Sequence, residues 1–107
     1  MRVLFVCSRN KWRSRTAETI FKNNSDHQVK SAGTSNEARV KVSEKIIAWA
    51  DLIFVMERHH KEKFKEKFRS LMDQKRIIVL DIPDEYKYMD DELIEILKTS
   101  PSPYLQL

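Results

Sequence analysis

The chain has 107 residues, 41% of them hydrophobic and 34% charged, with a formal net charge of +4. That size and mix suit one soluble globular domain, 1–107, with a modest core, and no apolar run approaches the length of a membrane span. A single cysteine excludes an internal disulfide and fits a reducing cytoplasm. The opening Met1-Arg2, running directly into a strand pattern, does not read as a signal peptide. The positive balance favours anionic ligands.

In chain order, Val3 to Val6 is an apolar run suited to a buried strand, and it ends in the cysteine, Cys7. Ser8 to Trp12 reads as a turn, and Arg13 and Ser14 open a helix in which Ala17, Ile20 and Phe21 share one face. Asn23-Asn24 offers that helix a stop. Val29 to Ala32 predicts a second strand, Thr34 to Lys41 a loop, and Val42 to Ala50 a helix buried through Ile46, Ile47 and Ala50, with Trp49 in the core. Leu52 to Met56 is a third, fully apolar strand. Glu57 to Met72 predicts one helix with Phe64, Phe68, Leu71 and Met72 on its apolar face and a solvated Lys/Glu run, Lys61 to Lys67, opposite. His27 falls in a loop. His59 and His60, as neighbours, do not share a helix face, and no carboxylate spacing beside them suggests a metal. Ile77 to Leu80 gives a fourth strand, Asp81 to Tyr88 a loop, and Asp90 to Lys98 a closing helix through Leu93, Ile94 and Leu97. Ser100-Pro101-Ser102-Pro103 is expected to end regular structure and leave the last residues loosely packed.

Strands alternating with helices predict an α/β fold: a four-stranded parallel sheet with helices on both faces. Ligands of such sheets bind beyond the carboxyl ends of the strands. Cys7 follows the first strand and Asp84 the fourth, so both fall on the same edge.

A strand-to-helix turn of this length aims successive backbone N–H groups and a positive helix end at one spot, which binds an oxyanion. A thiol at its base is favoured as thiolate by the same field, and Arg13 offers a planar fork to two oxygens of the anion. A lone cysteine at a strand end is more often a buried apolar residue, but here the arginine and the helix start supply the setting of a reactive thiol. Arg9, Lys11, Arg13 and Arg15 cluster in the turn and its exit.

The order Cys7, Asn10, Arg13, Ser14 after an N-terminal strand resembles the phosphate loop of the low-molecular-weight protein tyrosine phosphatases. Three further stretches are similar to that family in the same order: Ser31-Ala32-Gly33-Thr34, Ala50-Asp51-Leu52-Ile53-Phe54-Val55-Met56, and Ile82-Pro83-Asp84-Glu85-Tyr86. The resemblance implies a phosphatase-type loop of Ser8, Arg9, Asn10, Lys11, Trp12 and Ser14 after the first strand. It implies Cys7 as nucleophile, Arg13 as phosphoryl ligand and Asp84 as general acid, with Asp81 as the second candidate for that role. It also implies Asn10 holding the loop open through Ser31. Ser14 suits either a hydrogen bond to the thiolate or a helix cap. Trp12, Tyr86 and Tyr88 are candidate walls around an aromatic leaving group.

Three departures from the family pattern are visible. Arg9 stands where glycine is common, Glu85 replaces the proline after the acid, and the stretch from Thr34 to Ala38-Arg39 is much shorter, which implies a more open cleft.

The reading is thus a metal-independent, cofactor-free hydrolase of phosphotyrosine or small aryl phosphates that works through a cysteinyl-phosphate. The alternatives are a thiol-dependent arsenate reductase, which needs further cysteines, a phosphocysteine carrier resembling sugar phosphotransferase IIB domains, and a non-catalytic phosphate or nucleic-acid binding module. Arg13 and Asp84 speak against a carrier, and no groove-reading motif or stacking pattern supports nucleic acid.

Overall fold

A computed structural model describes residues 1–23, 26–72 and 75–105. Four parallel strands, β1 (Arg2–Cys7), β2 (Gln28–Gly33), β3 (Leu52–Val55) and β4 (Arg76–Val79), form one sheet in the order β2-β1-β3-β4. The register pairs Cys7 with Gly33 and Val55 with Val79, so all four carboxyl ends open on one edge.

Alternate side chains of a strand face opposite sides, and in β1 both sets are apolar, as a doubly covered strand requires. Val3, Phe5 and Cys7 point to one face, where they meet Ala17 and Phe21 of α1 (Arg13–Phe21), Leu93 and Leu97 of α5 (Asp91–Thr99) and Leu105 of α6 (Ser102–Leu105). Leu4 and Val6 point to the other face, against Ile47 of α2 (Glu44–Trp49) and Phe64 of α3 (Arg58–Lys67). Stacked rings tie the first face together, Phe5 lying 5.7 Å from Phe21 and 5.2 Å from Phe54. Caps start two of the helices: Ser43 accepts from Ile46 N–H, and Asp90 from Glu92 and Leu93 N–H. Among the described residues, no helix is long and apolar enough to cross a membrane.

The expected sheet, its direction and its two helical layers are present, with three corrections. The helix expected over 57–72 is broken at Phe68 (φ −128°, ψ 36°) into α3 and α4 (Arg69–Met72). Phe68 leaves helical geometry as its ring settles 6.1 Å from Phe64 on the covered face. The chain after Ser100 is also better packed than expected. Pro103 stands in the first turn of α6, where its missing N–H costs no bond. Leu105 is buried, and Tyr104 meets Phe54 edge-on at 5.9 Å. Trp49 is only partly buried, its ring lying under Lys30 Nζ at 4.6 Å. Asn24 of the expected helix stop and the side chain of Met72 lie outside the described residues.

Candidate active site

Cys7 ends β1 with its side chain 3% exposed, and its sulfur lies on the floor of a cleft of about 260 Å³. Ser8, Arg9, Lys11, Trp12, Arg13 and Asp84 complete the lining. The turn between β1 and α1 is held from outside by its carbonyls. Cys7 C=O accepts from Thr34 N–H, Ser8 C=O from Ser35 N–H, Arg9 C=O from Arg39 N–H, and Asn10 C=O from Arg39 Nε–H. The backbone N–H groups of Ser8 to Trp12, by contrast, find no acceptor among the described residues. The N-cap of α1 is Trp12, whose side chain caps nothing, so the first-turn donors are open too. A ring of outward carbonyls and open amides at a helix start is a nest for an oxyanion.

Two positions make this path possible. Asn10 takes a left-handed φ of 55°, a conformation asparagine tolerates better than most residues. Gly33, the only glycine in the chain, passes so close to the turn that a Cβ there would sit 2.5 Å from Ser8 O and 2.9 Å from Arg9 C. Arg9 itself needs no positive φ, so its place in the turn carries no backbone strain.

Ser14 Oγ lies 3.0 Å from Cys7 Sγ and accepts from Asn10 Nδ2 at 2.8 Å. With that lone pair engaged, its proton is free for the sulfur, which is nearer than Ala32 O at 3.4 Å. Ser14 is therefore a thiol partner inside α1 and not its cap. The expected Asn10–Ser31 bond is absent: Asn10 turns its amide to Ser14, and Ser31 gives its hydroxyl to Glu18.

Arg13 is 2% exposed and is held on two sides. Its Nη1 donates to Glu57 Oε1 at 2.5 Å and to Ile82 O at 2.8 Å, while Nε lies 3.7 Å from Asp84 Oδ1. With Nη1 committed, the Nε–Nη2 edge faces the carboxylate side of the cleft. Burial pushes the Glu57 carboxyl up, but the hydrogen bond and charge of Arg13 outweigh it, and its pKa is lowered on balance.

The two candidate acids separate. Asp84, on the loop after β4, borders the thiol cleft with a side chain 60% exposed. Asp81, at φ 56°, borders a different depression with Glu57, Arg58, His59 and Pro83.

The tyrosine walls are not there. Tyr86 packs its ring against the core and donates its hydroxyl to Glu92 at 3.4 Å. Tyr88 hydrogen-bonds Thr19 at 2.9 Å and lies under the Arg15 guanidinium. The loop is pulled that way because Met89 N–H donates to Thr16 Oγ1, which itself donates to Trp12 O. Trp12 is the one aromatic side chain that borders the cleft among the described residues.

Three contributors escaped the sequence reading. Glu57, Arg39 and His60 stand outside the turn and hold it. His60 is fully buried; its Nδ1 accepts Glu57 N–H at 3.0 Å, which places its proton on Nε2, 3.0 Å from Ser8 Oγ. Burial, then the charges of His59 and Arg13, lowers its pKa to about 3. Ligand atoms of Glu57, His59 and His60 do come within 4.8 Å of one another, a grouping the linear spacing did not suggest. Both ring nitrogens of His60 and one Glu57 oxygen already have protein partners. The signal for Glu57 was available: it follows β3 on the same sheet edge as Cys7 and Asp84.

Residues 2–50 match the family model described as low molecular weight phosphotyrosine protein phosphatase. No curated protein matches the sequence. Solved structures similar over nearly the whole chain include three phosphatases. The YwlE arginine phosphatase from Geobacillus stearothermophilus is 23% identical with a TM-score of 0.72, covering 98% of this chain and 92% of that one. A YwlE arginine phosphatase mutant with a phosphorylated active-site serine is 21% identical at TM-score 0.74, covering 99% and 96%. The low molecular weight protein tyrosine phosphatase of Streptococcus pyogenes is 17% identical at TM-score 0.78, covering 98% and 91%. The chain thus has the fold of the low molecular weight protein tyrosine phosphatases throughout, and over residues 2–50, which contain the Cys7–Ser14 turn, it matches their family model.

Proposed function

We propose that the chain is a phosphomonoester hydrolase that works through a cysteinyl-phosphate at Cys7. The observation that carries this reading is the convergence, in one cleft, of a thiol, an anchored arginine, an acid from the far strand and a turn of open amides.

The substrate phosphoryl group sits in the nest with its oxygens on the Ser8–Trp12 amides and the Arg13 fork. Cys7 Sγ attacks phosphorus, and an S–P bond forms as the P–O bond to the leaving group breaks. Asp84, as the carboxylic acid, gives its proton to the departing oxygen; such a transfer contributes typically ~10²–10⁴-fold. In the second step the Asp84 carboxylate takes a proton from water, the hydroxide oxygen attacks phosphorus, and the S–P bond breaks. Ser14 stabilises the sulfur as it leaves, and inorganic phosphate departs. Arg13 and the amides hold the three equatorial oxygens in both steps and need no rearrangement, because Glu57, Ile82 and Arg39 already fix them. The substrate class is an aryl phosphomonoester, phosphotyrosine included, with Trp12 beside the leaving group. A lone catalytic thiol suits a reducing compartment such as the cytoplasm.

A second substrate, phosphoarginine, is favoured by the open cleft, since neither Tyr86 nor Tyr88 walls it, and by the similarity to the YwlE arginine phosphatases. The same two steps then break a P–N bond, with Asp84 protonating nitrogen.

The test is hydrolysis of para-nitrophenyl phosphate in the presence of chelator, comparing the parent with Cys7→Ser and Asp84→Asn. The reading expects turnover in the parent, none in the first variant and a loss of about 10²-fold or more in the second. Turnover surviving Cys7→Ser would reject it. A phosphoarginine assay run beside it ranks the two substrates.

A further inference from the structure

Beside the thiol cleft lies a second, shallower basin lined by Arg9, Lys11, Arg15, Glu37 and Arg39. Arg9 and Lys11 border both depressions, so the two adjoin. We infer that this basin selects substrates carrying a second anionic group next to the phosphoryl group, and that its ligand is an acidic phosphopeptide. The inference deepens the proposed function and rests on its phosphate site.

The cations of the basin are only partly neutralised. Arg9 reaches Glu37 at 3.5 Å, with both side chains well exposed, and Arg39 reaches Glu18 at 3.8 Å. Lys11 and Arg15 meet no carboxylate among the described residues. Each instead rests on an aromatic plane, Lys11 Nζ 5.1 Å from the Trp12 ring centre and Arg15 Cζ 4.4 Å from that of Tyr88. A cation held over a ring keeps its charge and loses part of its freedom, so a partner anion finds it in place.

The occupant follows from the same contacts. Lys11 and Arg15 each cover one face of Trp12 and Tyr88, respectively, and that face is not available for a base to stack on. Glu37 lines the basin, where it pairs with Arg9 and repels a continuous run of phosphates, while Lys11 and Arg15 meet no carboxylate among the described residues and can take a single one. A peptide with one or two acidic residues adjoining the phosphorylated one meets both sites at once.

The experiment measures binding, not turnover, so that it stands apart from the hydrolase reading. Two phosphotyrosine peptides of equal length, one with two glutamates beside the phosphotyrosine and one with two glutamines, are titrated calorimetrically into the Cys7→Ser protein. The acidic peptide is expected to bind about fivefold more tightly at low salt, an advantage that fades as salt is raised. Adding Arg15→Glu should abolish the advantage, and Arg15→Gln, the gentler change against Tyr88, should reduce it. Equal affinity for the two peptides, a preference that neither Arg15 variant alters, or tighter binding of a single-stranded RNA of similar charge would each overturn the inference. Parallel assays of the parent on para-nitrophenyl phosphate report on the hydrolase reading alone.

Discussion

His60 gives the most quantitative handle on how the turn is held. Its ring is fully buried, accepts a backbone N–H at Nδ1 and presents its Nε2 proton to Ser8. A second proton would have to enter at Nδ1, breaking the bond to Glu57 and placing a charge beside Arg13. The folded pKa of about 3, against an ordinary 6.5, expresses that cost. Because the folded value is the lower one, the unfolded chain takes up a proton first as pH falls. Stability from this group is complete above about pH 6.5 and declines down to about pH 3. At pH ~5 the unfolded histidine has gained nearly a full proton and the folded one none. One and a half pH units at ~1.36 kcal/mol each give about 2 kcal/mol lost relative to pH ~7.5. The Glu57 carboxyl, lowered by Arg13, acts in the same direction but only below the ordinary carboxylate range, so this window is largely clear of it. The assay is urea unfolding of the parent and of His60→Gln at pH ~7.5 and ~5. The parent should be the more stable at pH ~7.5, by about 1–3 kcal/mol for the lost buried contacts, and that lead should shrink by about 2 kcal/mol at pH ~5. A lead that is the same at both pH values would refute the buried, neutral ring.

Other substitutions follow from the same contacts. Glu57→Gln removes the carboxylate that holds Arg13 Nη1 and should lower kcat by roughly 10–10²-fold while the protein remains folded, as steady-state kinetics and thermal melts will show. Gly33→Ala forces a methyl group against Ser8 O and Ala38, both part of or packed on the turn, and should cost about 1–3 kcal/mol of stability by denaturant unfolding together with most of the phosphate affinity. Tyr86→Phe and Tyr88→Phe, whose hydroxyls point to Glu92 and Thr19, should leave kcat/KM for aryl phosphates within about twofold, whereas Trp12→Ala should raise KM.

The sheet was legible because its strands are short unbroken apolar runs and its helices carry one apolar face each, patterns that local sequence displays directly. The turn was legible because Cys7, Asn10, Arg13 and Ser14 lie within one short stretch. Partners brought in from elsewhere were harder to see. Glu57 and His60 appear in the sequence as the start of a charged helix, and only the pairing of β3 beside β1 sets them under Arg13 and Ser8. Arg39 sits in a segment that reads as a plain loop, yet it ties two carbonyls of the turn. The tyrosines misled for the complementary reason. Their position after Asp84 suggested a wall, but Thr16 and Glu92, on separate helices, draw that loop away from the cleft. The Pro101 and Pro103 pair reads as an ending, and what overrides it is burial of Leu105 and Tyr104 against the sheet.

The central claim is a covalent phosphate on the Cys7 sulfur. The most direct measurement is rapid acid quench of Asp84→Asn protein after mixing with para-nitrophenyl phosphate, followed by peptide mass spectrometry. Slowed hydrolysis of the intermediate should leave a phosphate on the peptide containing Cys7, absent from the Cys7→Ser protein treated alike. Burst release of para-nitrophenol with no phosphate on that peptide, or phosphate on another residue, would contradict the account.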